Sequence, residues 1–121
     1  MPRRMTGRKT ASRKNPARDM AADRKARVVR LIRSLPGGKV SSYGAVAKAA
    51  GWPGAARQVV RMLRLVPGLP WHRVLGAGGA IKLRGENGAK QKVRLRMEGV
   101  TFRGVRVDMK RHEFRFKTSR R

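Results

Sequence analysis

The sequence predicts a mainly α fold with a small β-hairpin wing, a winged helix-turn-helix. Three observations predict it. Two short amphipathic stretches, about 43–50 and 55–65, are joined by the turn Gly51-Trp52-Pro53-Gly54. The second stretch carries Arg57, Arg61 and Arg64 at roughly one-turn spacings beside its apolar face. Beyond it, the short runs 71–75 and 80–83 flank the small-residue turn Gly76-Ala77-Gly78-Gly79, which reads as a hairpin placed where a wing belongs.

In chain order, residues 1–18 read as a basic disordered arm. Arg3, Arg4, Arg8, Lys9, Arg13, Lys14 and Arg18 stand there without an acid and without apolar periodicity. Such an arm either settles on phosphates or stays solvated. The folded domain is expected over 19–108. A first helix starts at Asn15-Pro16 or at Asp19, buries the stripe Val28, Leu31, Ile32 and Leu35, and stops at Pro36-Gly37-Gly38. Ser41 or Ser42 caps the second helix, which Gly51 ends in a left-handed conformation. The third helix buries Val59, Met62, Leu63 and Val66. A fourth, about 88–98, is expected to turn Val93 and Met97 inward and to end at Gly99. Residues 100–107 alternate and can extend. Residues 109–121 read as a basic C-terminal tail in which His112 is a surface side chain and Phe114 and Phe116 either pack or stay loose. Trp52 reads as a turn residue packed on the core.

Composition narrows the function. The 121 residues hold 32 Lys and Arg against 6 Asp and Glu, a net charge of +26, with an apolar fraction of 40% that still permits a core. That charge points to a polyanion such as double-stranded DNA, because cations that neutralise phosphates release condensed counterions. No apolar run reaches the roughly 18 residues of a membrane span, so no membrane partner is expected. The N-terminus lacks the apolar stretch of a secretory signal. With no cysteine, the chain has no disulfide, no thiolate metal site and no thiol nucleophile, and two histidines do not make a zinc site. No cofactor and no metal are expected. The reading is a cytoplasmic monomer, nucleoid-associated in a bacterium.

Two ways of meeting DNA are open at this level. Arg57, Gln58 and Arg61 could fork onto base edges in the major groove, as in a sequence-reading regulator. Alternatively, the small residues Gly54, Ala55 and Ala56 at the start of the third helix would let it approach a sugar-phosphate backbone closely, which suits the narrow minor groove.

The run Pro70-Trp71-His72-Arg73-Val74 resembles the active-site segment Pro-Cys-His-Arg-Val of the O6-alkylguanine-DNA alkyltransferase family, with Trp71 in the seat of the acceptor cysteine. That replacement is typical of the family's alkyltransferase-like proteins. The resemblance covers about 24–103. Gly38-Lys39-Val40-Ser41-Ser42-Tyr43-Gly44 is similar to the family's Gly-Lys-Val-x-Ser-Tyr stretch. Arg57 follows Tyr43 by fourteen residues, the family spacing between its DNA-rotating tyrosine and its arginine finger. Met62 and Arg64 match the end of its recognition helix, and Gln91-Lys92-Val93-Arg94-Leu95 with Glu98-Gly99-Val100 resembles the closing helix of the alkyltransferase-like branch. Two departures bear on chemistry. Val66 stands where the transferases have an asparagine hinge, and the link from Arg64 to Pro70 is short.

The resemblance implies a non-enzymatic sensor of O6-alkylguanine in double-stranded DNA. The helix-turn-helix would enter the minor groove with Ser42, Gly54, Ala56 and Arg61 at the backbone. Tyr43 would rotate the target nucleotide outward and Arg57 would fill the gap. The base would enter a pocket formed by Trp71, Tyr43, Arg84, Val74 and Pro70. The lesion would then be marked for nucleotide-excision repair proteins. His72 and Glu98, the family's base and orienting carboxylate, would survive as a hydrogen-bond network with no thiol to activate. An indole offers an N–H donor and a π face but no nucleophile at neutral pH. A hydrolytic enzyme using His72 and Glu98 would need a further carboxylate that no motif places.

Overall fold

In a computed structural model the described residues are 16–116. Pro16, whose fixed φ suits a first helical turn, opens helix α1 over Pro16–Arg33. Pro16–Arg18, the last residues of the segment read as an arm, therefore belong to this helix. Residues 1–15 of the arm and 117–121 of the tail lie outside the described residues. Val28 and Ile32 are fully buried, and Leu35 continues the stripe just past the helix end.

Strand β1, Ser41–Ser42, leads directly into α2, Tyr43–Ala49. Ser42 is the N-cap: its hydroxyl accepts the Ala45 N–H at 3.1 Å. Gly51 follows the helix at φ 76° and Gly54 closes the turn at φ 83°, conformations that a side chain would strain. Helix α3, Ala56–Leu65, buries Val59 and Met62 and leaves Arg57, Gln58, Arg61 and Arg64 exposed. Helices α1, α2 and α3 enclose one core cluster, completed by Leu69 and Val74; Trp52 packs on it, as expected of a turn residue.

The hairpin expected from residues 71–83 is not formed. Trp71–Arg73 make one 3-10 turn, and β2, Val74–Leu75, pairs in parallel with β1, Ser41 opposite Val74 and Ser42 opposite Leu75. Residues 81–84 have no regular structure. The reason is Gln91. Its fully buried amide donates to the carbonyls of His72 (3.2 Å) and Val74 (3.1 Å), acceptors that a returning strand would otherwise have to satisfy. Among the described residues the antiparallel hairpin lies later, β3 Phe102–Arg103 against β4 Arg106–Val107.

Gln91 also explains a second difference. Helix α4, Gly85–Met97, buries Gly88, Gln91 and Leu95, while Val93 and Met97, expected inside, are 54% and 81% exposed. Gly88 is required by a close approach, since a Cβ there would collide with the Leu83 carbonyl. Leu95 joins Val40, Leu75, Val100 and Val107 in a second core cluster.

The stretch read as a tail is docked from 109 to 116. After the short helix α5, Met109–His112, the chain runs beside Val40: Val40 N–H donates to His112 O (2.9 Å) and Phe114 N–H to Val40 O (2.7 Å). Phe114 and Phe116 meet edge to face at 5.3 Å and cover the first core cluster.

Candidate nucleic-acid interface

The parallel pairing of β1 with β2 ties the segment carrying Trp71 to the one carrying Tyr43. Between them, α3 and α4 leave a cavity of about 390 Å3, lined by both aromatic rings. That volume is in the range of small-ligand pockets, about 300–1,000 Å3. Val60 and Leu63 of α3 and Leu83 supply apolar wall; Arg64 of α3 and Asn87, Lys90 and Arg94 of α4 supply a polar, cationic edge.

Of the pocket residues expected from sequence, Tyr43 and Trp71 are brought together and three are not. Val74 is fully buried in the core, because its strand pairs with β1 and sends the side chain inward. Pro70 precedes the 3-10 turn, where its carbonyl accepts the Arg73 N–H at 3.1 Å. Arg84, the exposed residue before α4, does not line the cavity, whereas Leu83 beside it does. The sequence does not single out the lining side chains Leu63, Arg64, Lys90 and Arg94 as pocket residues. Arg64 and Arg94 fall in motifs of the recognition and closing helices and Leu63 in the apolar face of α3, while Lys90 has no motif to mark it.

Trp71 is half-buried and held from two sides. The His72 ring meets it edge-on at 6.1 Å, and the Arg94 guanidinium lies 5.4 Å from the indole centroid. Tyr43 is also half-buried, and burial pushes its phenol above the ordinary 10.0. The ring therefore stays neutral at physiological pH and can donate its O–H to an anion without repelling it.

Behind Trp71 lies the network that sequence assigned to His72 and Glu98. His72 Nε2–H donates to Glu98 Oε2 at 2.8 Å, and Arg73, to which sequence assigned no role, dominates the carboxylate: Nε reaches Oε1 at 3.0 Å and Nη2 reaches Oε2 at 2.6 Å. Gly38 N–H donates to Oε1 at 3.2 Å, and Arg73 Nη1 donates to the Leu35 carbonyl at 2.9 Å. The Arg73 hydrogen bonds, helped by His72 and Gly38, hold the Glu98 carboxyl at about 2 against an ordinary 4.5. His72 Nδ1 is buried with no hydrogen-bond partner among the described residues. The histidine is thus in place, but the chain contains no cysteine for it to activate.

His112 is not the solvated side chain expected of a tail. Its Nε2 accepts the Thr101 N–H at 3.0 Å, which leaves Nδ1–H to donate to the Gly38 carbonyl at 3.2 Å. Gly38 therefore links α5 to the Glu98 network.

The DNA-facing candidates divide by position. Arg57 and Arg61 are exposed on α3, Ala56 opens that helix half-buried, Gly54 is exposed in the preceding turn, and Ser42 is occupied by capping α2. Among the described residues, no group of three or more His, Cys, Asp or Glu could hold a metal ion, and no helix is long and apolar enough to cross a membrane.

Comparison with known proteins places the chain in a family. Residues 23–100 match the family model described as the DNA binding domain of 6-O-methylguanine DNA methyltransferase. No curated protein sequence matches the chain. Among solved structures, S. pombe Atl1 in complex with damaged DNA containing O6-carboxymethylguanine is similar at 31% identity and a TM-score of 0.64, over 78% of this chain and 97% of that one. S. pombe ATL in complex with DNA is similar at 34% identity and a TM-score of 0.59, over 69% of this chain and 83% of that one. M. tuberculosis OGT in complex with DNA is similar at 33% identity and a TM-score of 0.55, over 63% of this chain but only 49% of its own length. The chain belongs to the O6-alkylguanine-DNA alkyltransferase family, as a member of its alkyltransferase-like type.

Proposed function

We propose that this protein is a non-enzymatic sensor of O6-alkylguanine in double-stranded DNA. The observation that carries the reading is a cavity walled by Tyr43 and Trp71, in a chain without any cysteine. Removal of the alkyl group by the family's route needs a thiolate to attack the alkyl carbon and become its acceptor. Trp71 provides a π face instead, and base-on-aromatic contact contributes roughly 1–3 kcal/mol. Binding without turnover is what that exchange favours.

The helix-turn-helix approaches through the minor groove. Arg57 fills the stack that the extruded nucleotide vacates, and the neutral Tyr43 phenol hydrogen-bonds the phosphate beside it. Extrusion costs a few kcal/mol, and least for a base whose pairing is already weakened, so selection begins at the flipping step. The long-lived complex is then the signal that nucleotide-excision repair reads. The protein acts as a monomer on DNA in the cytoplasm or on a nucleoid.

The test compares duplexes that differ only in guanine or O6-methylguanine, at fixed salt, with mass spectrometry of the recovered DNA. At least about tenfold tighter binding of the lesion, equal to about 1.4 kcal/mol, with the methyl group still in place, is expected. Equal binding of the two duplexes, or loss of the methyl group, contradicts the proposal.

A further inference from the structure

We infer that the cavity selects O6 adducts that carry a negative charge, with Lys90 and Arg94 as the selecting residues; this rests on the sensor reading above and names its ligand class. The two walls of the cavity differ in chemistry. One is apolar, from Val60, Leu63 and Leu83, and suits any alkyl group. The other is cationic, from Lys90 and Arg94 of α4, with Arg64 of α3 at the cavity's edge. Lys90 and Arg94 are four residues apart on α4, so the ammonium and guanidinium project from one helix face a turn apart. The Arg94 guanidinium lies 5.4 Å from the Trp71 centroid, against the ring that would stack on the base. No acidic residue lines the cavity, and among the described residues neither cation has an ion-pair partner; the carboxylate that is paired, Glu98, is held by Arg73 and His72.

This is not the random scatter of charge that a highly basic chain produces on every helix. The four cations of α4 divide by face: Lys90 and Arg94 line the cavity, while Lys92 and Arg96 line a separate groove beside Val105 on the opposite side. A methyl adduct makes no use of Lys90 and Arg94. An adduct ending in a carboxylate, such as carboxymethyl, accepts charge-assisted hydrogen bonds from them. The same cations can hold DNA phosphates, but a phosphate contributes equally whatever the adduct. The ratio between a charged adduct and its neutral isostere isolates the pocket.

The experiment measures Kd for duplexes carrying guanine, O6-methylguanine, O6-carboxymethylguanine and the neutral isostere O6-carbamoylmethylguanine at one position. For the wild-type protein, carboxymethyl should bind about fivefold tighter than carbamoylmethyl at low salt, and the ratio should shrink as salt rises. In the double variant Lys90→Gln/Arg94→Gln the ratio should fall to about twofold or less, with Arg64 the cation that remains at the cavity, even if all affinities fall through lost phosphate contacts. In Lys92→Gln/Arg96→Gln, which removes the same charge from the other face, the wild-type ratio should persist. A wild-type ratio of one or below overturns the inference, as does a ratio that survives in Lys90→Gln/Arg94→Gln or falls equally in both doubles. If O6-methylguanine is preferred over guanine while the adduct ratio is one, only the charge selection fails. If no lesion is preferred over guanine, the sensor reading fails and the inference with it.

Discussion

Glu98 concentrates more of the site's electrostatics than any other residue. One carboxylate receives His72, two Arg73 nitrogens and the Gly38 N–H. It thereby binds the 3-10 turn that carries Trp71 to the end of α4 and to the loop before β1. Its carboxyl titrates at about 2 in the folded chain against 4.5 ordinarily. The folded state therefore binds fewer protons than the unfolded state across that interval. This contribution to stability is present in full above about pH 4.5 and is lost as pH falls towards 2. Replacing the carboxylate in Glu98→Gln should lower stability at pH 7 by about 2 kcal/mol, because it leaves a half-buried guanidinium uncompensated. Urea unfolding between pH 2 and pH 7 checks both parts, and the variant should lose much of the acid-side slope. At the DNA surface, exposed Arg57 belongs to a different class. Arg57→Ala should leave urea unfolding nearly unchanged while weakening O6-methylguanine duplex binding by about 1–3 kcal/mol; unchanged affinity removes the finger role.

Among the elements, α2 and α3 were the most legible in sequence. Their apolar spacing, the Ser42 cap and the glycines at 51 and 54 are local signals, and the helices form where those signals place them. Ser42→Ala should cost about 1 kcal/mol in urea unfolding, the worth of an N-cap hydrogen bond. The elements after residue 70 are less legible, for a physical reason. Whether 71–75 pairs with a following strand or with β1 depends on a distant partner, and the buried amide of Gln91 decides it. A glutamine in a helix counts as polar in any periodicity, so the buried face of α4 was assigned to Val93 and Met97, which are exposed. The candidate site divides in the same way. Tyr43 and Trp71 stand out by type and by motif. Lys90 does not, and the motif that contains Arg94 marks a helix and not a pocket: in a chain with 32 basic residues a single cation is not tied to a site until a helix face and a cavity place it there.

Taken as a whole, the molecule joins a small three-helix core to a second cluster through α5 and the chain that follows it. The aromatic pair Phe114–Phe116 and the His112 bridge between Thr101 and Gly38 show that the described C-terminal residues contribute to the fold. A chain ending at Asp108 should lose about 2 kcal/mol or more, from the apolar area that two phenylalanines cover; a melting temperature equal to that of the full chain would contradict the docking. The net charge of +26 adds a sequence-independent attraction to DNA. Affinity for undamaged duplex should fall steeply and linearly in a log–log plot against salt. The preference for a lesion, which depends on base pairing and on the cavity, should fall far less.

The chain has two tryptophans, Trp71 at the cavity and Trp52 on the core, so Trp52→Phe leaves one reporter at the point where the extruded base is expected. Fluorescence titration of that variant tests the account most directly. A duplex containing O6-methylguanine should quench Trp71 on binding, as a purine stacks on the indole, while the matching guanine duplex, bound to the same occupancy, should quench it far less. Equal quenching by both duplexes, or none by the lesion at saturation, would mean that no modified base enters the cavity beside Trp71.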